Sequence, residues 1–133
     1  MGVYLNPGND KFYKAINSEI YVDKTGLIQY TNRVFNTMQQ NVCVSRPRRF
    51  GKSMTANMLA AYYSRGCQSE KLFEEFKITK DPSFRQHLNR YNVFFMNMQE
   101  FLSRSKTVVK NDFADQSASD AGSETGIPGY CVF

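Results

Sequence analysis

Between residues 24 and 39 the apolar positions Leu27, Ile28, Val34, Phe35 and Met38 keep the three-and-four spacing of one helix face. Asp23 stands in front of them, placed to cap that helix by accepting from its first-turn N–H groups. Residues 53–65 repeat the pattern with Met54, Met58, Leu59 and Tyr62 inward, and Gly66 follows as a C-cap. Two runs break the helical period and read as buried strands. One spans residues 41–45 around Val42-Cys43-Val44, and the other spans residues 92–98 around Val93-Phe94-Phe95-Met96. Shorter helices are predicted over residues 10–17, 69–76 and 82–90. The first follows an Asn6-Pro7-Gly8-Asn9 turn with Asn9 or Asp10 as cap, and the last has Pro82 at a favoured first position. A further helix can follow from Ser105, and no internal repeat is visible.

This order of elements, helices interleaved with apolar strands, predicts an α/β fold, and 133 residues allow one domain. The pattern stops at about residue 108. From Asp115 to Gly126 the residues are small, polar and aperiodic, a linker-like or disordered composition. No run of eighteen apolar residues is present, and the N-terminus has neither a basic region nor an apolar stretch of the signal-peptide kind. Cys43, Cys67 and Cys131 are odd in number and widely spaced, which fits neither a zinc site nor a disulfide framework. Reduced thiols point to a cytoplasmic protein away from the membrane, with Cys43 packed in the core.

Charge changes the picture. The chain is net +5, but residues 107–133 hold one basic residue, Lys110, against Asp112, Asp115, Asp120 and Glu124. That stretch is therefore −3, and residues 1–106 carry +8. A basic front portion suits a polyanion, either nucleotide or nucleic acid. Most of its Lys and Arg read as solvated helix faces. Arg46, Arg48 and Arg49 are the exception, three arginines within four positions of one loop.

That loop carries the candidate chemistry. Ser45-Arg46-Pro47-Arg48-Arg49-Phe50-Gly51-Lys52-Ser53 follows the first strand and precedes the helix over 53–65. Strand, basic loop, Gly-Lys-Ser and helix is the layout of a phosphate-binding loop, or P-loop. Backbone N–H groups at the helix start, together with its positive dipole end, attract an anion. Gly51 permits close approach of the backbone. Lys52 is placed to reach terminal phosphates, and the Ser53 hydroxyl to ligate Mg²⁺. The general motif has glycine where Arg46 stands. A bare Gly-Lys-Ser is common in unrelated turns, so the flanking strand and helix give the match its weight.

Residues 46–53 resemble the P-loop of the bacterial and archaeal AAA-ATPase-like family, in which arginine at the first position is expected. Further elements occur in the family's order. Leu5-Asn6-Pro7-Gly8 with Phe12 and Ile16 resembles its opening, and Tyr21-Val22-Asp23-Lys24-Thr25-Gly26-Leu27-Ile28 its Y-V-D-K-T-x-x-I element. Leu72-Phe73 with Ile78 resembles a later segment, and Tyr91-Asn92-Val93 with Asn97 its second strand. The resemblance covers about residues 5–107. It implies the N-terminal portion of a three-layer P-loop fold, a parallel sheet flanked by helices, with a helical lead-in. It also implies ATP and Mg²⁺ as ligands and residues 46–53 as the nucleotide-binding site. The family is often fused to a C-terminal PD-(D/E)XK-type nuclease domain. For Asp23-Lys24-Thr25 the resemblance implies a helix start beside the nucleotide site, while the residues alone read as a cap.

Hydrolysis needs more than the loop. A second carboxylate at the end of a neighbouring strand holds the metal, and another group orients water. Asn97 ends the second apolar run without a carboxylate, and Glu100 lies beyond it. In the resembled family these acids come later in the chain, so ATP binding is expected here and turnover is not. His87 is expected to be solvated. Departure from the family pattern near residue 108 reads as a truncated or frame-shifted product, with residues 108–133 as a divergent tail. With two apolar strands where a full sheet of this kind has about five, marginal stability and self-association are expected. The alternatives to nucleotide binding are a basic nucleic-acid-binding module built on Arg46, Arg48 and Arg49, and an inactive fragment.

Overall fold

A computed structural model describes residues 4–100, 102–103 and 130–132. The elements are α1 (Asp10–Ile16), α2 (Gly26–Val34), β1 (Val42–Val44), α3 (Lys52–Tyr63), α4 (Glu70–Phe73), a 3-10 turn (Lys77–Lys80), α5 (Phe84–His87) and β2 (Tyr130–Val132). The chain divides into two units, Met1–Phe95 with Gly129–Phe133, and Met96–Pro128. In the second, the Gln99 N–H donates to Asn97 Oδ1 at 3.2 Å and the Ser103 hydroxyl to the Gln99 carbonyl at 2.8 Å. Among the described residues no helix is long and apolar enough to cross a membrane.

The first unit is organised around α3. Ala56 and every residue from Met58 to Tyr63 are buried, so the helix is apolar nearly all round beyond its first turn, as a central helix must be. Aromatic rings from three other helices close on it. Phe12 of α1 stacks on Phe73 of α4 with centroids 4.8 Å apart, and Tyr62 meets Phe73 edge-on at 5.7 Å and Phe84 of α5 at 5.7 Å. Ile28 of α2 and Ile78 of the 3-10 turn complete the cluster. Offset and edge-on pairs at these separations add about 0.5–1.5 kcal/mol each beyond the area they bury.

Asn32 and the Tyr62 and Tyr63 hydroxyls are paired inside this core. Asn32 Nδ2 donates to the Tyr62 hydroxyl at 3.0 Å and to Ser83 Oγ at 3.1 Å. The Tyr63 hydroxyl donates to Asn32 Oδ1 at 2.6 Å, and the Tyr62 hydroxyl to the Phe84 carbonyl at 2.7 Å. One side chain thus ties α2 to α3 and to the segment before α5. Burial pushes the Tyr62 phenol up to about 12, although the hydrogen bond from Asn32 pulls the other way. Both phenols therefore stay neutral and keep their donor protons.

Several elements differ from expectation. Helix α2 stops at Val34 because Phe35 is extended and Asn36 takes a left-handed φ of 58°. Met38 consequently leaves the apolar face and is fully exposed. Helix α3 starts one residue earlier than the apolar pattern predicts and ends at Tyr63, with Ser64 extended and Gly66 left-handed two residues later. Met54 in its first turn is exposed rather than inward. Asn9 precedes α1 but makes no cap hydrogen bond, its amide donating instead to Ser69 Oγ at 3.1 Å. The helix predicted over 69–76 is the four-residue α4, and that over 82–90 is the four-residue α5.

Strand β1 pairs antiparallel with β2, in the register Val42 to Val132, Cys43 to Cys131 and Val44 to Tyr130. The strand alternation leaves Val42 and Val44 half-buried and turns Cys43 to solvent, which corrects the core placement expected for that thiol. The second predicted strand, 92–98, is not a named strand and does not join β1. Its Phe94 forms an isolated bridge with Leu5, supported by Asn6 N–H to the Val93 carbonyl at 2.7 Å and Phe95 N–H to the Tyr4 carbonyl at 2.8 Å. The N-terminal segment is thus the partner of this run. The tail expected from residue 108 lies outside the described residues, apart from Tyr130–Val132, which form β2.

His87 is half-buried, not solvated. Its Nδ1 lies 2.7 Å from the Tyr91 hydroxyl, and its ring stacks on Tyr91 and leans on Phe35. Burial, aided by the Arg90 charge, holds the imidazole below its ordinary value. The folded state therefore binds this proton less readily than the unfolded chain, whose histidine titrates at about 6.5. The His87 contribution is complete above about pH 6.5 and is lost as pH falls from there through the lower folded value. Thermal melts between about pH 7.5 and 5.5 should show Tm falling with pH, and falling less in His87→Gln. Equal slopes in the two proteins would contradict the assignment.

Candidate functional site

The basic loop lies between β1 and α3. Residues 45–47 leave the strand without regular structure, and residues 48–49 form a turn. Arg49 and Gly51 both take left-handed dihedrals, φ 68° and 76°, on either side of Phe50. Lys52 then begins α3. A left-handed residue followed by a right-handed one turns successive N–H groups to the same side, the backbone arrangement that receives anions. At Gly51 the conformation itself favours glycine, and a Cβ there would also meet the movable end of the Lys24 side chain.

All eight expected site residues fall in this continuous stretch, with different exposures. Arg46, Pro47, Arg48, Arg49, Phe50 and Ser53 are exposed, while Gly51 and Lys52 are half-buried. The Lys52 ammonium folds back across the loop onto the Arg46 carbonyl, with the Pro47 carbonyl at 3.5 Å. It therefore spans the start and end of the loop. Gly51 is also held from α3, its carbonyl accepting from the Thr55 N–H and the Thr55 hydroxyl, each at 2.9 Å. Ser53 sits at the second position of α3.

A group that spacing alone missed reaches the loop from the segment just before α2. The Lys24 ammonium donates to the Phe50 carbonyl at 2.7 Å, across 26 residues of chain. The neighbouring residues hold it there. Asp23 Oδ1 accepts from the Thr25 N–H at 2.8 Å and the Thr25 hydroxyl at 2.7 Å, and Oδ2 accepts from the Lys77 N–H at 3.4 Å. Thr25 is fully buried. Asp23 thus closes a local turn two residues ahead of Thr25, the N-cap of α2, instead of capping the helix itself. Burial raises the Asp23 carboxyl, but the Thr25 and Lys77 hydrogen bonds and the Lys77 charge outweigh it and leave the group below its ordinary value. The sign is that of a carboxylate stabilised in the folded state, lost only as pH falls through that lowered value.

A groove of about 310 Å³ adjoins the loop, with Ile20, Val22, Phe50 and Met54 on its apolar walls and Lys24 and Gly51 at its edge. Ile20, Val22 and Phe50 are each more than half exposed there. Another cavity, of about 250 Å³, is lined by Thr31, Phe35, Tyr63 and Tyr91 and shares no residue with the loop. Among the described residues no group of three or more His, Cys, Asp or Glu could hold a metal ion.

A left-handed glycine at the head of a buried helix, a lysine folded over the loop and a second lysine on the Phe50 carbonyl come together at this one loop. The family model described as "Predicted AAA-ATPase" matches residues 8–123, and the chain belongs to this AAA-ATPase-like family. The match continues past residue 107, so the family pattern reaches into the polar stretch that composition sets apart. No curated protein and no solved structure matches the chain.

Proposed function

We propose that residues 46–53 bind the phosphates of ATP, as the P-loop of an AAA-ATPase-like domain with the three-layer parallel architecture of that class. The observation that carries this reading is Gly51, left-handed at the head of the twelve-residue α3, with Lys52 beside it over the loop carbonyls. In the bound state Lys52 exchanges those carbonyls for terminal phosphate oxygens. Gly51, Lys52 and Ser53 offer N–H groups at the positive end of the helix. The groove beside Phe50 and Met54 has the volume and apolar walls to take a base. Mg²⁺ fits the same site through the exposed Ser53 hydroxyl, since this ion takes most of its ligands from phosphate oxygens and water. Bound there, it would neutralise charge on the phosphates.

A second reading rests on the exposure of Arg46, Arg48 and Arg49, which gives a nucleic-acid backbone three cations to track. One titration separates the two. A fluorescent ATP analogue should bind with and without Mg²⁺, compete with unlabelled ATP, and be displaced poorly by inorganic phosphate and by DNA. Strong displacement by DNA with a steep salt dependence, and weak displacement by ATP, would transfer the site to nucleic acid.

A further inference from the structure

We infer that Lys24 is a positioning residue of the phosphate loop, its ammonium holding the Phe50 carbonyl so that the Gly51 N–H is aimed at the phosphates. This rests on the nucleotide reading above. Among the described residues no peptide bond is cis, and in a trans peptide the N–H points opposite to the C=O. Fixing the Phe50 carbonyl toward Lys24 therefore fixes the Gly51 N–H away from it. The next peptide is held from the other side, where the Gly51 carbonyl accepts from the Thr55 N–H and hydroxyl. Both peptide groups flanking Gly51 are thus set before any ligand arrives, which removes an ordering cost from binding.

The contact is built rather than incidental. The backbone around Lys24 is pinned by Asp23, which accepts from Thr25 on one oxygen and from the Lys77 N–H on the other. A Cβ on Gly51 would meet this ammonium and displace the end of the Lys24 side chain from the Phe50 carbonyl. Lys24 and Lys52 therefore divide the loop, Lys52 on the carbonyls of its first residues and Lys24 on the carbonyl before the glycine.

The test is a set of titrations with a fluorescent ATP analogue, competed with ATP and ADP, at several salt concentrations. Lys24→Ala should weaken ATP and ADP by the same factor, about tenfold, the scale of one lost charge-assisted hydrogen bond. Its salt dependence should match wild type, because no phosphate contact is lost. Lys24→Arg should recover part of the affinity. Lys52→Ala should weaken ATP more than ADP and flatten the salt dependence. Gly51→Ala should cost less affinity in the Lys24→Ala background than in wild type, because the Cβ no longer meets an ammonium. Lys24→Ala that behaves like Lys52→Ala, or leaves affinity unchanged, or combines additively with Gly51→Ala, overturns the inference while the nucleotide reading stands. Wild type that binds no nucleotide overturns both. Should Lys24→Ala fail to fold, Lys24→Arg and Gly51→Ala decide the question. Full affinity in Gly51→Ala would contradict it, and reduced affinity with an unchanged melting temperature would support it.

Discussion

Lys52→Ala is expected to weaken ATP binding by roughly 10- to 100-fold, the range set by removing one hydrogen bond to a charged group. The side chain begins α3, half-buried, with its ammonium on the Arg46 carbonyl. Its flexible stem lets it trade carbonyl partners for phosphate oxygens without moving the backbone. Stability should change by no more than about 0.5 kcal/mol, since the substituted group leaves no buried partner unpaired. Affinity and folding are thereby separated. Lys52→Arg should not restore full binding, because a planar fork is a poor substitute for a compact point charge inside a small loop. Equal ATP affinity in wild type and Lys52→Ala, measured with the fluorescent analogue, would remove the loop as the nucleotide site.

The loop was legible in the sequence because its signal is local. A strand, a glycine and a helix within a dozen residues fix the backbone geometry, and left-handed Gly51 is the conformation such a turn demands. Lys24 was not legible from spacing. Its partner lies 26 residues on, and a hydrogen bond to a main-chain carbonyl leaves no trace in residue identity. Resemblance of Tyr21–Ile28 to a family element placed this helix start beside the site, and the Lys24 contact with Phe50 gives that placement a physical form.

Strand pairing was the least legible part. Val93-Phe94-Phe95-Met96 has the composition of a buried strand, yet Phe94 is largely exposed and the segment bridges to Leu5. An apolar run states that a segment can pair, not which partner it takes. Asn6 decided the partner. Its side chain accepts from the Val93 N–H at 2.7 Å while its own N–H donates to the Val93 carbonyl, a two-way contact that only the fold reveals. The end of α2 failed for a similar reason. The apolar spacing continued to Met38, but Asn36 took the left-handed conformation that asparagine tolerates, and the Thr37 hydroxyl turned back to the Val34 carbonyl at 2.6 Å.

Phe73→Ala is expected to be the most destabilising single truncation in the first unit, by about 3–5 kcal/mol. Phe73 is completely buried. Its ring stacks on Phe12, meets Tyr62 and Phe84 edge-on at 5.7 and 6.1 Å, and touches Phe76 at 6.4 Å. Removing it deletes the transfer energy of the ring and leaves a hole bounded by four aromatic side chains, which are too rigid to collapse into it. Helix α4 is one turn long, so little in its own backbone holds it once that anchor is gone. A loss of this size is a large fraction of the 5–15 kcal/mol that typical domains possess. Phe73→Leu should recover much of it by refilling the volume, at the expense of the ring contacts. Urea unfolding followed by circular dichroism gives the comparison. The midpoint of Phe73→Ala should fall far below wild type with Phe73→Leu between them, whereas a Phe73→Ala midpoint within error of wild type would mean that this aromatic cluster does not hold α1, α4 and α5 against α3.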